Sequence, residues 1–319
     1  MSGLALAIIE HRQNRPAEVN LEVLGLARDL SPENWAGLVL AGPEASGLTA
    51  ELRPYCPRLY TVIDPSLEPY NPQTWLPALV KACQELKPSF VLCGQTAFGL
   101  DLAPALAQAL EAPLASDVLA AEADGDGLIA TRPVYGGKLL AKLKLEPANL
   151  SLLSLRPGLR PRLEPGPPGQ VTALSPPQGP AQLTRRFLDF IPAAGGIDLT
   201  RAKVIVSVGR GIEGPENIEL AQELAQALGA ELACSRPVAD LGWLDKERQV
   251  GLSGQTVKPK VYLALGISGA YQHQVGMGQA ETIIAVNRDP EAPIFDIAHF
   301  GVAADLFEVV PALIEAWQA

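Results

Sequence analysis

Four short apolar runs in the C-terminal part of the chain constrain the fold most, because each stops at a turn of small or polar residues. Lys203-Val-Ile-Val-Ser-Val208 runs into Gly209-Arg210-Gly211, and Glu231-Leu-Ala-Cys234 into Ser235-Arg236-Pro237. Val261-Tyr-Leu-Ala-Leu265 runs into Gly266-Ile-Ser-Gly-Ala-Tyr-Gln-His273, and Thr282-Ile-Ile-Ala-Val286 stops at Asn287. Helical periodicity fills the gaps: Leu220, Leu224 and Leu228 share one face over 216–228, and Asp305 precedes a closing helix over about 306–317. Strands alternating with helices predict a parallel sheet covered on both faces. In an open sheet of this kind, ligands bind outside the carboxyl ends of the strands. All four turns fall there, where free backbone N–H groups and helix N-termini favour an anionic group.

The N-terminal part has the same rhythm. Strands are predicted over 4–9, 38–41, 59–63 and 90–93, with helices over 19–30, about 72–86 and about 101–110. Residues 128–145 read differently, as two extended runs around Gly136-Gly137, which predicts a hairpin at a sheet edge. Eight prolines crowd residues 157–180. Proline at that density excludes helix and ladder alike, so the expectation is an extended connector. The predicted organisation is a 1–155 N-terminal α/β domain, a 156–198 connector and a 199–319 C-terminal domain. At 319 residues, two domains are the default.

Composition excludes several classes. The net charge is −10 with no basic stripe, which argues against a phosphate-backbone partner. Cys56, Cys83, Cys93 and Cys234 show no metal or redox spacing, and three scattered histidines make a histidine-based zinc site improbable. The N-terminal stretch has no cationic flank, and no apolar run approaches the roughly 18 residues needed to span a bilayer. The expectation is a soluble, cytoplasmic protein without a signal or transit peptide.

The candidate residues at the strand ends have structural alternatives. Arg210 suits an anion, or a turn cap or a pair with Glu213; Ser235 also reads as a turn hydroxyl, Arg236 as a surface arginine and His273 as a satisfied, partly buried histidine. Asn287 suits an Asx turn, and Asp305 caps the last helix in any reading. No nucleophile–base arrangement stands out. Cations and hydroxyls without a nucleophile suit a bound cofactor that carries the chemistry itself.

The motifs also carry a resemblance. Val208-Gly-Arg-Gly211 with Glu216-Asn217, Ser235-Arg-Pro-Val-Ala-Asp240, Gln249-Val-Gly-Leu-Ser-Gly254, Leu265 to His273, Ala285 to Phe295 and Ala304-Asp-Leu-Phe307 run collinearly. The N-terminal half adds Thr96-Ala-Phe-Gly99, Ser116-Asp117 and Arg132-Pro-Val-Tyr-Gly-Gly137. Together they resemble the alpha subunit of electron-transfer flavoproteins, the FixB-like family.

The resemblance implies a Rossmann-like C-terminal domain holding one FAD per heterodimer with a beta subunit, and it is compatible with an AMP in that subunit. It implies an electron carrier without substrate turnover of its own. Electrons would pass from flavin dehydrogenases, such as the acyl-CoA dehydrogenases of fatty acid oxidation, to a quinone oxidoreductase or another acceptor. An electron-bifurcating complex and an NAD-linked enzyme on the same scaffold are the alternatives. Carried over by motif, Arg210, Ser235, Arg236, Val250, Gly251, Leu252, Ser253, Ser268, Gly269, Ala270, Tyr271, Gln272, His273, Asn287, Asp305 and Leu306 would contact FAD. Arg236 would lie near the isoalloxazine, Ser253 near N5 and His273 at the O2 side, with Arg236 and His273 as cations that tune the potential. The chain departs from the family at Leu252-Ser253, where Gln-Thr is frequent, at Tyr271, where an aliphatic residue is common, and at His299-Phe300, where Asp-Tyr is frequent. Leu252 has no amide to offer.

Overall fold

The computed structural model describes residues 3–124, 127–145, 150–177, 183–189 and 198–318. It forms two compact units, Met1–Phe190 and Ile191–Ala319.

The first unit contains β1 (Ala5–Ile8), a two-residue pair β2 (His11–Arg12) and β3 (Arg15–Pro16), α1 (Val19–Leu30), β4 (Trp35–Ala41), α2 (Ser46–Leu52) and β5 (Arg58–Ile63). It continues through α3 (Pro72–Leu86), β6 (Phe90–Gly94), α4 (Ala97–Ala109), β7 (Leu114–Val118), β8 (Ala120–Asp124), β9 (Gly127–Val134), β10 (Leu139–Leu145), β11 (Ser151–Leu155) and β12 (Gln170–Leu174). Seven strands form one sheet in the order β12-β5-β4-β1-β6-β11-β7, with every pair parallel. Helices cover both faces, so the central strands are apolar throughout. On β1, Ala5 and Ala7 meet the layer that holds Leu24 and Leu26 of α1, while Leu6 and Ile8 meet the layer of Trp75 and Leu79 of α3. The alternation follows from the strand's period of two.

The hairpin expected at 128–145 is present: β9 and β10 pair antiparallel, and β8 completes a three-stranded sheet. The extended connector is corrected. Residues 170–174 form β12, which pairs parallel with β5 at the edge of the main sheet. The strand sequence Gln-Val-Thr-Ala-Leu contains no proline; the prolines flank it. Proline density therefore marks the approach to an edge strand here, a position that tolerates it. Residues 178–182 and 190–197 of the expected connector lie outside the described residues.

The second unit contains β13 (Val204–Val208), α5 (Ile218–Leu228), β14 (Glu231–Cys234), α6 (Arg236–Asp240), β15 (Val261–Leu265), α7 (Tyr271–Met277), β16 (Thr282–Asn287), β17 (Phe300–Ala303) and α8 (Leu306–Gln318). Its five strands are all parallel in the order β14-β13-β15-β16-β17. Ile205, Tyr262, Ala264, Ile283 and Ala285 face the layer closed by Met277 of α7. Val206, Val208, Leu263, Leu265 and Val286 face α5 and α8 through Leu224, Leu306 and Val310. α5 ends where Gly229 turns left-handed, at φ +61°, a conformation that glycine adopts without a Cβ penalty.

From β13 the chain crosses to β14 on one side and then to β15 on the other. The carboxyl ends of β13 and β15 therefore flank a topological switch point, where an open parallel sheet leaves its ligand crevice.

Candidate functional site at the sheet's carboxyl edge

At the switch point the turns after β13 and β15 meet backbone to backbone. The Gly211 N–H donates to the Gly266 carbonyl at 3.0 Å, and the Gly209 N–H to the Leu265 carbonyl at 2.8 Å. Gly266 has φ +61°, and a Cβ there would sit 2.8 Å from backbone atoms of Gly211. A Cβ on Gly209 would stand 2.2 Å from the Gly266 oxygen. Only glycine permits this approach, and it leaves the crevice floor free of side chains.

Arg210 follows directly, exposed, with no ion pair among the described residues. Glu213 pairs instead with Arg288, Nη1 to Oε1 at 2.8 Å, and this pair lies beside a small recess lined by Gly211, Gly266, Asn287, Asp305 and Leu306. The alternative that Arg210 merely pairs with Glu213 is thereby set aside. The Asn287 and Asp305 side chains do local work here. Asn287 Nδ2 donates to the Ile267 carbonyl and its Oδ1 accepts from the Asp289 N–H, while Asp305 Oδ1 accepts from the Phe307 N–H as a helix cap. Each carboxylate or amide retains further acceptor capacity.

A second group of predicted residues gathers beyond β14. Ser235 is buried at the strand end, and its side chain does not cap α6. Arg236 opens α6 and is two-thirds exposed, its Nε 3.2 Å from Asp240. The chain then returns to this edge: the Val250 N–H donates to the Cys234 carbonyl at 2.9 Å. From there the loop fastens to α7, with the Leu252 N–H donating to the Gln272 carbonyl at 2.7 Å. Gly251 and Gly276 pack so closely that a Cβ on Gly276 would meet the Gly251 nitrogen at 2.3 Å. Val250, Gly251, Leu252, Ser253, Gln272 and His273 are thus one assembly. Ser253 is exposed and its hydroxyl accepts from Gln249 Nε2 at 2.9 Å; Leu252 is exposed and supplies only backbone.

Between the two groups lies the turn leading into α7. Gly269 has φ +79° and packs on Ile294, where a Cβ would come within 2.3 Å of the Ile294 nitrogen. The Ile294 N–H donates to the Ser268 carbonyl at 3.0 Å, which leaves the Ser268 side chain exposed. Ala270 begins α7 through its carbonyl, which accepts from His273 and Gln274. Tyr271 is half-buried and Gln272 exposed on the first turn.

His273 corrects an expectation. It is buried at 6 % exposure, not poised as a cation in the crevice. Its Nε2 lies 3.0 Å from the Tyr262 hydroxyl, and its Nδ1 is buried without a hydrogen bond among the described residues. Burial pushes its pKa down to about 4, against a smaller opposing effect from the Val250 carbonyl, so the ring is neutral near pH 7. Tyr262, Arg288 and the Glu213 pair were not legible as site residues. Tyr262 is hidden in an apolar strand, and Arg288 in what reads as an ordinary turn.

The features fit a large anionic dinucleotide. A glycine-floored crevice, helix N-termini and an arginine without an ion pair among the described residues lie at one sheet edge. The recess at the β13–β15 turns holds only about 30 Å³, too little to enclose such a ligand. Among the described residues no cluster of His, Cys, Asp or Glu side chains suits a metal ion, and no helix is long and apolar enough to cross a membrane.

Comparison with known proteins agrees. Residues 198–278 match the description "Electron transfer flavoprotein FAD-binding domain", and residues 5–178 match "Electron transfer flavoprotein domain". An electron transfer flavoprotein subunit alpha from Thermoanaerobacterium thermosaccharolyticum is 36% identical, covering 96% of this chain and 95% of that protein. Protein FixB from Azorhizobium caulinodans is 37% identical over 98% of this chain and 87% of its own length. The lactate dehydrogenase (NAD(+),ferredoxin) subunit LctC of Acetobacterium woodii is 33% identical over 96% of this chain and 75% of its own length. With matches spanning both units at this level, the chain belongs to the electron transfer flavoprotein alpha-subunit family, and its C-terminal unit carries that family's FAD-binding domain.

Proposed function

We propose that this chain is the FAD-holding subunit of a heterodimeric electron carrier. It would take electrons from flavin dehydrogenases, such as acyl-CoA dehydrogenases, and deliver them to a quinone oxidoreductase or another acceptor. The observation that carries the reading is the glycine-floored meeting of the β13 and β15 turns at the switch point, within residues that match the FAD-binding domain.

A bound flavin supplies reversible uptake and release of one or two electrons. The chain's own residues would hold and tune it. The turn at Arg210, with the Ser268-Gly269 turn, Asn287 and Asp305, would take the phosphate, ribityl and adenosine parts. Ser235, Arg236, the Val250–Ser253 loop and His273 would border the ring. Arg236 would stabilise negative charge that the ring gains on reduction, more strongly once a partner excludes water from its guanidinium. His273, being neutral, would act as a hydrogen-bond donor. None of these groups is a nucleophile or general base set against a substrate, which suits a carrier without turnover of its own.

The similarity to LctC favours one further reading, a subunit of an electron-bifurcating complex. Co-expression with its beta partner separates the two. A simple carrier purifies yellow with one flavin per heterodimer and is not reduced by NADH. Two flavins reduced by NADH establish bifurcation, and a colourless complex overturns both readings.

A further inference from the structure

We propose that Tyr262 is the positioning residue for His273, its hydroxyl occupying Nε2 so that Nδ1 is presented as an N–H donor to the cofactor. The inference rests on the reading of His273 as a flavin contact.

Tyr262 is the second residue of β15 and is fully buried. Its layer is otherwise built from Ile205, Ala233, Ala264, Ile283 and Ala285. Phenylalanine would fill the same volume there without bringing in a hydroxyl. A buried hydroxyl needs a partner, and leaving one unmet costs about 1–3 kcal/mol. The partner is His273 Nε2 at 3.0 Å, with the rings 6.0 Å apart between centroids and inclined by 59°. Ser207, on the neighbouring strand β13, is the other polar group beside the phenol; its buried hydroxyl lowers the phenol's pKa against the larger effect of burial.

The ring's other nitrogen is the informative atom. Nδ1 of His273 is buried and has no hydrogen bond among the described residues. Buried polar atoms are paired in the great majority of proteins, so an orphaned one in a candidate ligand site marks a place where a ligand atom belongs. Both rings are neutral at pH 7, because burial raises the phenol's pKa far above its ordinary value and lowers that of the imidazole to about 4. In the arrangement proposed, the neutral phenol donates to Nε2, and the ring proton then sits on Nδ1. The hydrogen bond on one nitrogen thereby fixes what the other offers. An N–H donor held in place without a net charge suits a carbonyl-type oxygen that becomes more negative on reduction.

The test uses the FAD-loaded heterodimer. Side-chain ¹⁵N spectra of histidine in the unaltered complex should show His273 in a single tautomer with its proton on Nδ1. A proton on Nε2 overturns the proposal without any variant. Tyr262→Phe keeps the ring volume and should retain flavin, populate both tautomers and lower the reduction potential in the same direction as His273→Asn. If Tyr262→Phe leaves tautomer and potential unchanged while His273→Asn lowers the potential, Tyr262 is only a core residue and the inference fails. If His273→Asn changes neither flavin content nor potential, the reading of His273 as a contact fails instead.

Discussion

His273 shows how burial can reverse what a residue type suggests. Placed by motif at a flavin, it reads as a cation; placed in this unit, it is a buried, neutral ring with a pKa near 4. The sign of the consequence follows from linkage. The unfolded chain binds a proton on this histidine below about pH 6.5, while the folded chain does so only below about 4. Its stabilising contribution is therefore complete above pH 6.5 and is lost as the pH falls through that window, at up to about 1.4 kcal/mol per pH unit. Denaturant titrations between pH 7 and 4 should show this loss in the unaltered chain and a shallower one in His273→Asn. Equal slopes would mean that the ring is solvated and charged. Arg236 behaves differently, because its guanidinium is two-thirds exposed and pairs with Asp240 on its own helix. Its influence on a bound ring depends on how far the partner shields it. Arg236→Ala should lower the flavin's reduction potential in the heterodimer, since a cation that favours added negative charge is gone. A redox titration with no change would remove that role.

The elements that build the site were legible because each follows from local chemistry. The four strand–turn units of the second half, the α1, α3 and α5 helices and the β9–β10 hairpin each carry their own periodicity or glycine signal. Other elements carry none. β11 reads Ser-Leu-Leu-Ser-Leu, without β-branched residues, and its strand state comes from insertion between β6 and β7. β17, Phe-Gly-Val-Ala, is a short exposed edge strand that pairs with β16. β12 is masked by flanking prolines. Contacts distant in sequence decide all three. The same limit applied to the site, where the glycine turns were visible and the Tyr262–His273 bond was not. Asp305 lies between the two cases, since its cap was expected and its ligand role remains a proposal. Asp305→Ala should cost about 1 kcal/mol through the lost cap. Asp305→Asn keeps a capping oxygen and should cost little stability. If Asp305 also contacts the cofactor, the asparagine variant will release FAD more readily at nearly unchanged stability. Unchanged FAD affinity would leave it as a cap alone.

Across the whole molecule, each sheet has its own pair of apolar layers. Those of the first unit draw on residues between Leu4 and Leu174, and those of the second on residues between Leu199 and Val310. A core complete within its own unit can unfold as its own cooperative step. Each unit also has its own tryptophans: Trp35 and Trp75 in the first, Trp243 and Trp317 in the second. Trp75 is fully buried and Trp317 largely exposed, so near-ultraviolet and fluorescence signals should separate the two steps. Denaturation of the isolated chain should therefore show two transitions. FAD binds only the native second unit in this reading, so excess FAD at a hundred times its dissociation constant should stabilise one transition by about 2.7 kcal/mol and leave the other in place. The stabilised step should be the one whose pH dependence His273→Asn alters, which ties the cofactor to that histidine through a measurement independent of electron transfer. A single transition, or an equal shift of both, would show that the units unfold together and that the FAD-binding unit is not energetically separable from the rest of the chain.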